Sequence, residues 1–338
     1  MSIFNAENSL RFLKEVEAAN NIVITAHKSP DGDSIGSSLG MYFFLQSLGI
    51  DSCICHPDPA PDFLSWLTGA DQVHSWQQEN EFAKELFANA DLVIHLDFNA
   101  PGRVGEDMRP ALEEATAKKI MIDHHLDPDK DFFDLSYSDP SCCSTSQMIA
   151  ELIIASGHED KLNNLIGTPL YCGIMTDTGS FRFPSTKPET HEIIAKLIRA
   201  GVKQYEVHEN VYDTNTIDRI KLRGYALAEK MEIWEDLDTA VISLTEEEMK
   251  RFNYKKGDTE GLVNVALSIV GMKRAAYFSE SEGYIKISFR SKGEDNPVNE
   301  IAAKYFNGGG HKNAAGGRWD LPIESAVERF KKALKNEI

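Results

Sequence analysis

An α/β fold in two domains is what the sequence predicts. A parallel-sheet N-terminal domain would span 1–212, a linker helix 213–230, and a smaller α+β domain 231–338. Three observations carry this. The chain has 338 residues, 42% of them hydrophobic, more than one core ordinarily fills. Short apolar runs alternate with helix-length segments through the first part of the chain, the pattern of βαβ units with buried parallel strands. Past residue 230 the pattern changes to β-rich runs with two helices.

Residues 3–19 read as an amphipathic helix, with Ile3, Leu10, Leu13 and Val16 apolar and Glu15 and Glu17 outward. Residues 22–25 form a short strand. Residues 35–48, rich in Gly, Ser and Leu, read as a helix packed closely on the sheet, with Gly49 at its C-terminal cap. A second strand at 51–55 places Cys53 and Cys55 on one face, as packing residues. Residues 57–90 hold a proline-rich connection and two short helices anchored by Trp66 and Trp76. The apolar run 91–97 is a strand ending on Asp97, and after a helix at about 109–117 the run 119–125 is another. Helices follow at 144–156, 187–200 and 203–211, and the largely apolar 162–175 leads to Asp177. Beyond the linker, strands are expected at 231–234, 239–244, 275–279 and 284–290, with helices at 298–305 and 323–334.

Five cysteines without CxxC spacing indicate a reduced, cytoplasmic protein, and the adjacent Cys142 and Cys143 read as structural. The N-terminus lacks a basic flank and an apolar signal core, and no apolar run is long enough to cross a membrane. A net charge of −18 argues against gripping long nucleic acid through many phosphates. It leaves room for a short anionic substrate, because metal ions and a few arginines reverse the potential locally.

Chemistry gathers in the loop Thr25-Ala26-His27-Lys28-Ser29-Pro30-Asp31-Gly32-Asp33-Ser34. One imidazole and two carboxylates within seven residues suit Mn²⁺, Mg²⁺ or Zn²⁺. By itself the same loop also reads as a polar turn capping the next helix through Asp33 or Ser34. In a parallel sheet the carboxyl ends of the strands share one edge, where ligands bind. His27, Asp31, Asp33, Asp97, Asp123, His124 and His125 would all reach that edge, and this coincidence favours a metal site. In the second domain Gly308-Gly309-Gly310-His311 follows no helix or strand propensity. With Lys312, Asn313, Arg318, Arg290 and Lys292 nearby in sequence, it reads as an anion-binding loop, a flexible hairpin tip being the alternative.

The H-x-x-x-D-x-D of 27–33, the strand-terminal Asp97, the Asp123-His124-His125 triplet and Asp177 together resemble the DHH phosphoesterase superfamily. The second domain, with its glycine-histidine stretch, is similar to the associated DHHA1 domain. The two-domain layout resembles the nano-RNase and pAp phosphatase branch, so the resemblance covers nearly the whole chain.

What the resemblance implies is a hydrolase acting on short oligoribonucleotides, 3′-phosphoadenosine 5′-phosphate (pAp) or dinucleotides. It implies two Mn²⁺ ions, with Mg²⁺ or Co²⁺ as substitutes. His27 and Asp31 would hold one ion, Asp33, His124 and Asp177 the other, and Asp97 both. His125 would lie nearer the substrate phosphate, Asp123 would orient a histidine, and Arg182, Arg290, Gly309, Gly310 and His311 would bind substrate. The Phe98-Asn99 pair after Asp97 departs from the family pattern. Hydrolysis of cyclic di-AMP or pApA on the same metals is the alternative activity, and a non-catalytic nucleotide sensor is the alternative of another class. A homodimer through the first domain is compatible with the sequence and not required by it.

Overall fold

The computed structural model describes residues 2–281, 283–320 and 322–336; the expected outer bounds of the two domains, Met1 and Ile338, lie outside that set. The chain divides into two compact units, Met1–Thr214 and Asn215–Ile338.

In the first unit, α1 (Ala6–Ala18) is followed by β1 (Ile22–Thr25), α2 (Gly32–Ser47), β2 (Ser52–His56), β3 (Val73–Ser75) and α3 (Asn80–Asn89). Then come β4 (Leu92–Leu96), α4 (Arg109–Glu114), β5 (Lys118–Asp123) and β6 (Leu135–Ser138). Four helices close the unit: α5 (Thr145–Ala155), α6 (Asn164–Asp177), α7 (Pro188–Arg199) and α8 (Gln204–Tyr212). The strands form one sheet in the order β3-β2-β1-β4-β5-β6, parallel throughout. Every residue of β1 and β4 is buried, as a strand covered on both faces requires. Ile22 and Ile24 face one core with α2, α5 and α6, while Val23 faces the other with Phe87 and Leu112.

The strand order reverses between β1 and β4, and their carboxyl ends open at that point. Crevices form at such a switch.

Several expectations shift. Strands β3 and β6 are additional; they are short edge strands whose partial exposure gives no continuous apolar run. The connection before β4 holds one regular helix, α3, and two single 3₁₀ turns rather than two helices. Leu10 is 59% exposed and Phe12 is buried in its place, because the helix begins at Ala6 and its core face is Ser9, Phe12, Leu13 and Val16. Gly49 follows the Leu48 cap with φ +77. Helix α2 lies against α6 as well as the sheet. Its glycines at 32, 36 and 40 recur every four residues, and a Cβ at Gly36 would stand 2.4 Å from the Pro169 carbonyl oxygen.

The second unit opens with α9 (Ile217–Ala228), then β7 (Met231–Trp234), β8 (Thr239–Leu244), α10 (Glu246–Lys250) and α11 (Leu262–Leu267). It continues through β9 (Arg274–Ser281), β10 (Tyr284–Ser291), α12 (Asn299–Tyr305), β11 (Gly309–His311), β12 (Ala314–Asp320) and α13 (Ile323–Leu334). Its sheet runs β11-β12-β10-β9-β8-β7, antiparallel except for the β8–β9 pair. Phe278, Phe289, Phe306 and Phe330 centre the core on one side. The helix expected as a linker, α9, sends Leu222 and Ala226 into the other core, so it packs as part of this unit. Among the described residues no helix is long and apolar enough to cross a membrane.

Close packing of α2 on α6 leads to a direct test. Gly36→Ala is expected to lower unfolding free energy by about 1–3 kcal/mol, from overpacking against backbone. Gly224→Ala, in α9 with open space around the added Cβ, is expected to raise it by about 0.5–1 kcal/mol. Urea midpoints of the two variants against the parent protein measure both.

Candidate metal centre

β1 ends at Thr25, and two residues on His27 turns back over the sheet edge. Its Nδ1 sits 2.9 Å from the Lys28 carbonyl oxygen, which directs Nε2 toward Asp97 Oδ2 at 3.3 Å and Asp31 Oδ2 at 3.7 Å. Asp31 is the N-cap of α2: its Oδ1 accepts the N–H groups of Asp33 and Ser34, each at 3.0 Å. The cap uses one oxygen of the Asp31 carboxylate and leaves the other facing His27, so the cap and ligand interpretations of this loop are compatible. The cap runs through Asp31 rather than Asp33 or Ser34, because Asp33 and Ser34 already lie within the first turn.

Asp33 is held from outside its own helix. Its Oδ2 accepts the Thr145 N–H at 2.7 Å and its Oδ1 the Ser146 N–H at 2.9 Å. These are the first N–H groups of α5, which lack partners inside their helix and favour negative charge. Room for this contact depends on Gly173 of α6, where a Cβ would come within 2.0 Å of Ser146 Oγ and 2.8 Å of Asp33 Oδ1.

Asp97 follows β4 with φ +62, a left-handed conformation that non-glycine residues seldom adopt and that clusters at functional sites. Its Oδ1 accepts the Thr145 hydroxyl at 3.2 Å and lies 3.5 Å from His124 Nε2. Its Oδ2 faces His27. At the end of β5, His124 Nε2 is 3.3 Å from Asp177 Oδ2 and 3.9 Å from Asp33 Oδ2. Asp177, the last residue of α6, meets it there. Asp123 is fully buried and holds His125 twice, through Nδ1 at 2.7 Å and the backbone N–H at 3.1 Å.

Three sets of donor atoms thus lie within 4.8 Å of one another: His27 with Asp31 and Asp97, Asp33 with His124 and Asp177, and Asp97 with His124 and His125. The electrostatics are those of crowded buried charge. Burial opposes a proton on His27, but the hydrogen bond and charge of Asp97 outweigh it and raise the pKa to about 9. His124 shifts up for the same reasons, against burial, with Asp177 contributing. Burial, then the neighbouring carboxylates, push Asp33 upward. Asp177 rises to about 8, mainly through burial and despite His124. Asp97 alone is held well below the usual range, against burial, by the two imidazoles. The edge takes up protons wherever no other cation balances its carboxylates.

Of the remaining expected site residues, Arg182 belongs to the first unit and Arg290, Gly309, Gly310 and His311 to the second. Arg182 is exposed, and its Nε donates to the Gly179 carbonyl at 2.8 Å in a turn where Gly179, Ser180 and Phe181 all have positive φ. Arg290 is half-buried on β10 with a guanidinium N–H on the Phe289 carbonyl at 2.9 Å, and burial lowers its pKa. Gly309, Gly310 and His311 form strand β11 of a hairpin with β12, not a loop. A Cβ at Gly310 would stand 2.6 Å from the Ala314 carbonyl oxygen, so close strand pairing accounts for that glycine. Thr145 and Ser146 are functional neighbours that sequence reasoning assigns only to a helix start; the run Ser144-Thr145-Ser146 was the available signal. His56, at the end of β2, is a core residue: its Nε2 meets Ser38 Oγ at 2.9 Å, and burial drives its pKa to about 3.

Residues 21–174 match the DHH family, N-terminal domain, and residues 238–338 match the DHHA1 domain. The bifunctional oligoribonuclease and PAP phosphatase NrnA of Thermus thermophilus is 32% identical, over 96% of this chain and 92% of that protein. Its namesake in Bacillus subtilis is 29% identical, over 91% of this chain and 93% of that protein. The crystal structure of an exopolyphosphatase-related protein from Bacteroides fragilis is 40% identical and superposes with a TM-score of 0.93, over 98% of this chain and 96% of that one. With both domains matched in order and a full-length relative 32% identical, the chain belongs to the DHH family of phosphoesterases, in its DHH–DHHA1 form.

Proposed function

We propose that this protein hydrolyses the phosphoester bonds of very short oligoribonucleotides and the 3′-phosphate of pAp, using two divalent cations, with Mn²⁺ as the resident metal. The observation that carries the proposal is the sharing of donors: Asp97 turns one oxygen toward the His27 set and the other toward the His124 set. The similarity to NrnA proteins supports the substrate class.

The residues fit divalent ions. All the donors are carboxylate oxygens and imidazole nitrogens, which suit Mn²⁺ or Mg²⁺. The carboxylates that shift upward do so because buried negative charge lacks compensation, which a cation supplies better than protons. His27 and Asp31 would hold one ion, and Asp33, His124 and Asp177 the other, with Asp97 common to both. Bound ions of this kind polarise a phosphoryl oxygen and lower the pKa of water, so the protein needs no separate strong base.

The chain's own residues do the rest. Lys28's carbonyl and the α5 amides fix the directions of His27 and Asp33 before substrate arrives. Asp123 holds Nδ1 of His125 and so fixes the ring, which is proposed to lie near the substrate phosphate. Arg182, Arg290, His311 and the β11 glycines are proposed to bind the phosphate or nucleotide end of the substrate. Recognition of a chain end, not of a long backbone, agrees with the surplus of negative charge.

Asp33→Asn and Asp97→Asn are each expected to lower kcat on both pAp and diribonucleotides by at least about a hundredfold with the fold intact by circular dichroism. One Mn²⁺ assay panel checks this: pAp, di- to pentaribonucleotides, pApA, cyclic di-AMP and pyrophosphate, compared by kcat/KM. Near-parental turnover by either variant rules out the ligand assignment, and a preference for cyclic di-AMP or pApA reassigns the substrate.

His311→Ala and Arg290→Ala are expected to raise KM several-fold with a smaller effect on kcat. Unchanged KM and kcat in both would remove the second unit from substrate binding.

A pH dependence follows from the shifted groups. His27 (about 9 in the folded chain, against an ordinary 6.5) and Asp177 (about 8 in the folded chain, against an ordinary 3.8) both favour the proton in the folded state. Their contribution is complete below the lower value of each pair and is lost as pH rises through the folded one. Metal-free protein should therefore lose the Asp177 part of its stability between pH 3.8 and about 8 and the His27 part between pH 6.5 and about 9. Added Mn²⁺ should raise Tm more at about pH 8.5 than at about pH 6, because it takes the place of those protons. Equal metal-induced shifts at both pH values would contradict the assignment.

A further inference from the structure

We propose that Thr145 is a positioning residue that holds Asp97 in the orientation needed to serve both ions; this rests on the dimetal reading above. Thr145 is the first residue of α5 and is fully buried. Its N–H donates to Asp33 Oδ2 at 2.7 Å and its hydroxyl to Asp97 Oδ1 at 3.2 Å. One residue thereby ties together two carboxylates that come from different elements, α2 and the end of β4.

The hydroxyl matters because of what metal binding removes. Besides the Thr145 hydroxyl, the side-chain nitrogens within 4 Å of the Asp97 carboxylate among the described residues are those of imidazoles: His27 Nε2 at 3.3 Å, His124 Nε2 at 3.5 Å and His125 Nδ1 at 3.9 Å. A nitrogen that ligates a metal offers its lone pair and carries no proton, so His27 and His124 stop donating to Asp97 once ions are held. His125 Nδ1 already has Asp123 at 2.7 Å. The Thr145 hydroxyl is then the side-chain donor that remains.

A carboxylate's last torsion is soft and nearly two-fold. If Asp97 rotates about it, both oxygens can close on one ion and abandon the other. A hydroxyl fixed on Oδ1 opposes that rotation and leaves Oδ2 to the His27 side. Threonine suits the task better than serine, because branching at Cβ stiffens χ1 and aims the hydroxyl.

The test uses full-length, metal-free protein. Wild type, Thr145→Ser and Thr145→Val are titrated with MnCl₂ by calorimetry, and the loaded proteins are compared by electron paramagnetic resonance. Wild type and Thr145→Ser should bind two Mn²⁺ per chain with an exchange-coupled signal. Thr145→Val should keep the metal-free unfolding temperature, bind the second ion about 10–100-fold more weakly and lose the coupling. Should Thr145→Val fail to fold, Thr145→Ala is titrated against the same criteria. Affinities and coupling equal to wild type in the variant lacking the hydroxyl overturn the role of Thr145 and leave the dimetal reading standing. Lowered metal-free stability with unchanged metal affinity does the same, by marking the residue as structural. Fewer than two ions on the wild-type protein overturn both.

Discussion

Confined negative charge is the constraint on which the first unit depends. Asp33 and Asp97 are almost wholly buried, Asp177 is largely so, and all three converge with Asp31 on the opening between β1 and β4. A buried carboxylate without compensation is expensive in free energy, and several together are untenable without cations, protons or donors. Each surrounding element supplies part of the answer. Strands β1 and β5 deliver imidazoles, the N-terminus of α5 delivers amides, and α2 and α6 deliver carboxylates from a shared, closely packed interface. The parallel sheet matters here mainly because it brings the ends of sequence-distant strands to one edge.

Much of this was legible in the chain itself. Buried strands that end in Asp97 and Asp123-His124-His125 announce their fold class, and the structure brings the donors at their ends to one edge. The loop from His27 to Asp33 was ambiguous for a physical reason: Asp31 caps α2 through one oxygen and turns the other toward His27, so the two interpretations do not compete. What stayed hidden was what sequence spacing cannot encode. Contacts between Asp33 and Thr145 or Ser146 cross more than a hundred positions, and the hydroxyl and amides involved look like any helix start. Edge strands β3 and β6 are short and half-exposed, and neither length nor apolar periodicity distinguishes them from loops. The glycines before His311 lie at a strand pairing rather than in a loop, and close pairing with β12 excludes a Cβ at Gly308 and Gly310.

Two strategies for fixing ligands coexist in the centre. His27, Asp31 and His125 are oriented by backbone groups or side chains close to them in sequence, whereas Asp33 is held by the distant α5 amides. Asp97 differs. Its backbone is left-handed, and its carboxylate is surrounded mainly by other members of the centre. It is therefore the member whose geometry depends most on the state of the others, sharing one donor set with His27 and another with His124.

Gly173 shows how far the specification of such a centre reaches. It bears no functional group and sits mid-helix, where glycine weakens a helix relative to alanine. Yet the volume of a single methyl group at that position is already taken by Ser146 and Asp33. The centre is defined partly by an absence: α6 gives up helical propensity so that the N-terminus of α5 can close around a carboxylate. A residue with no chemistry of its own thus becomes as constrained as a ligand, and a survey confined to donors and nucleophiles would pass it by.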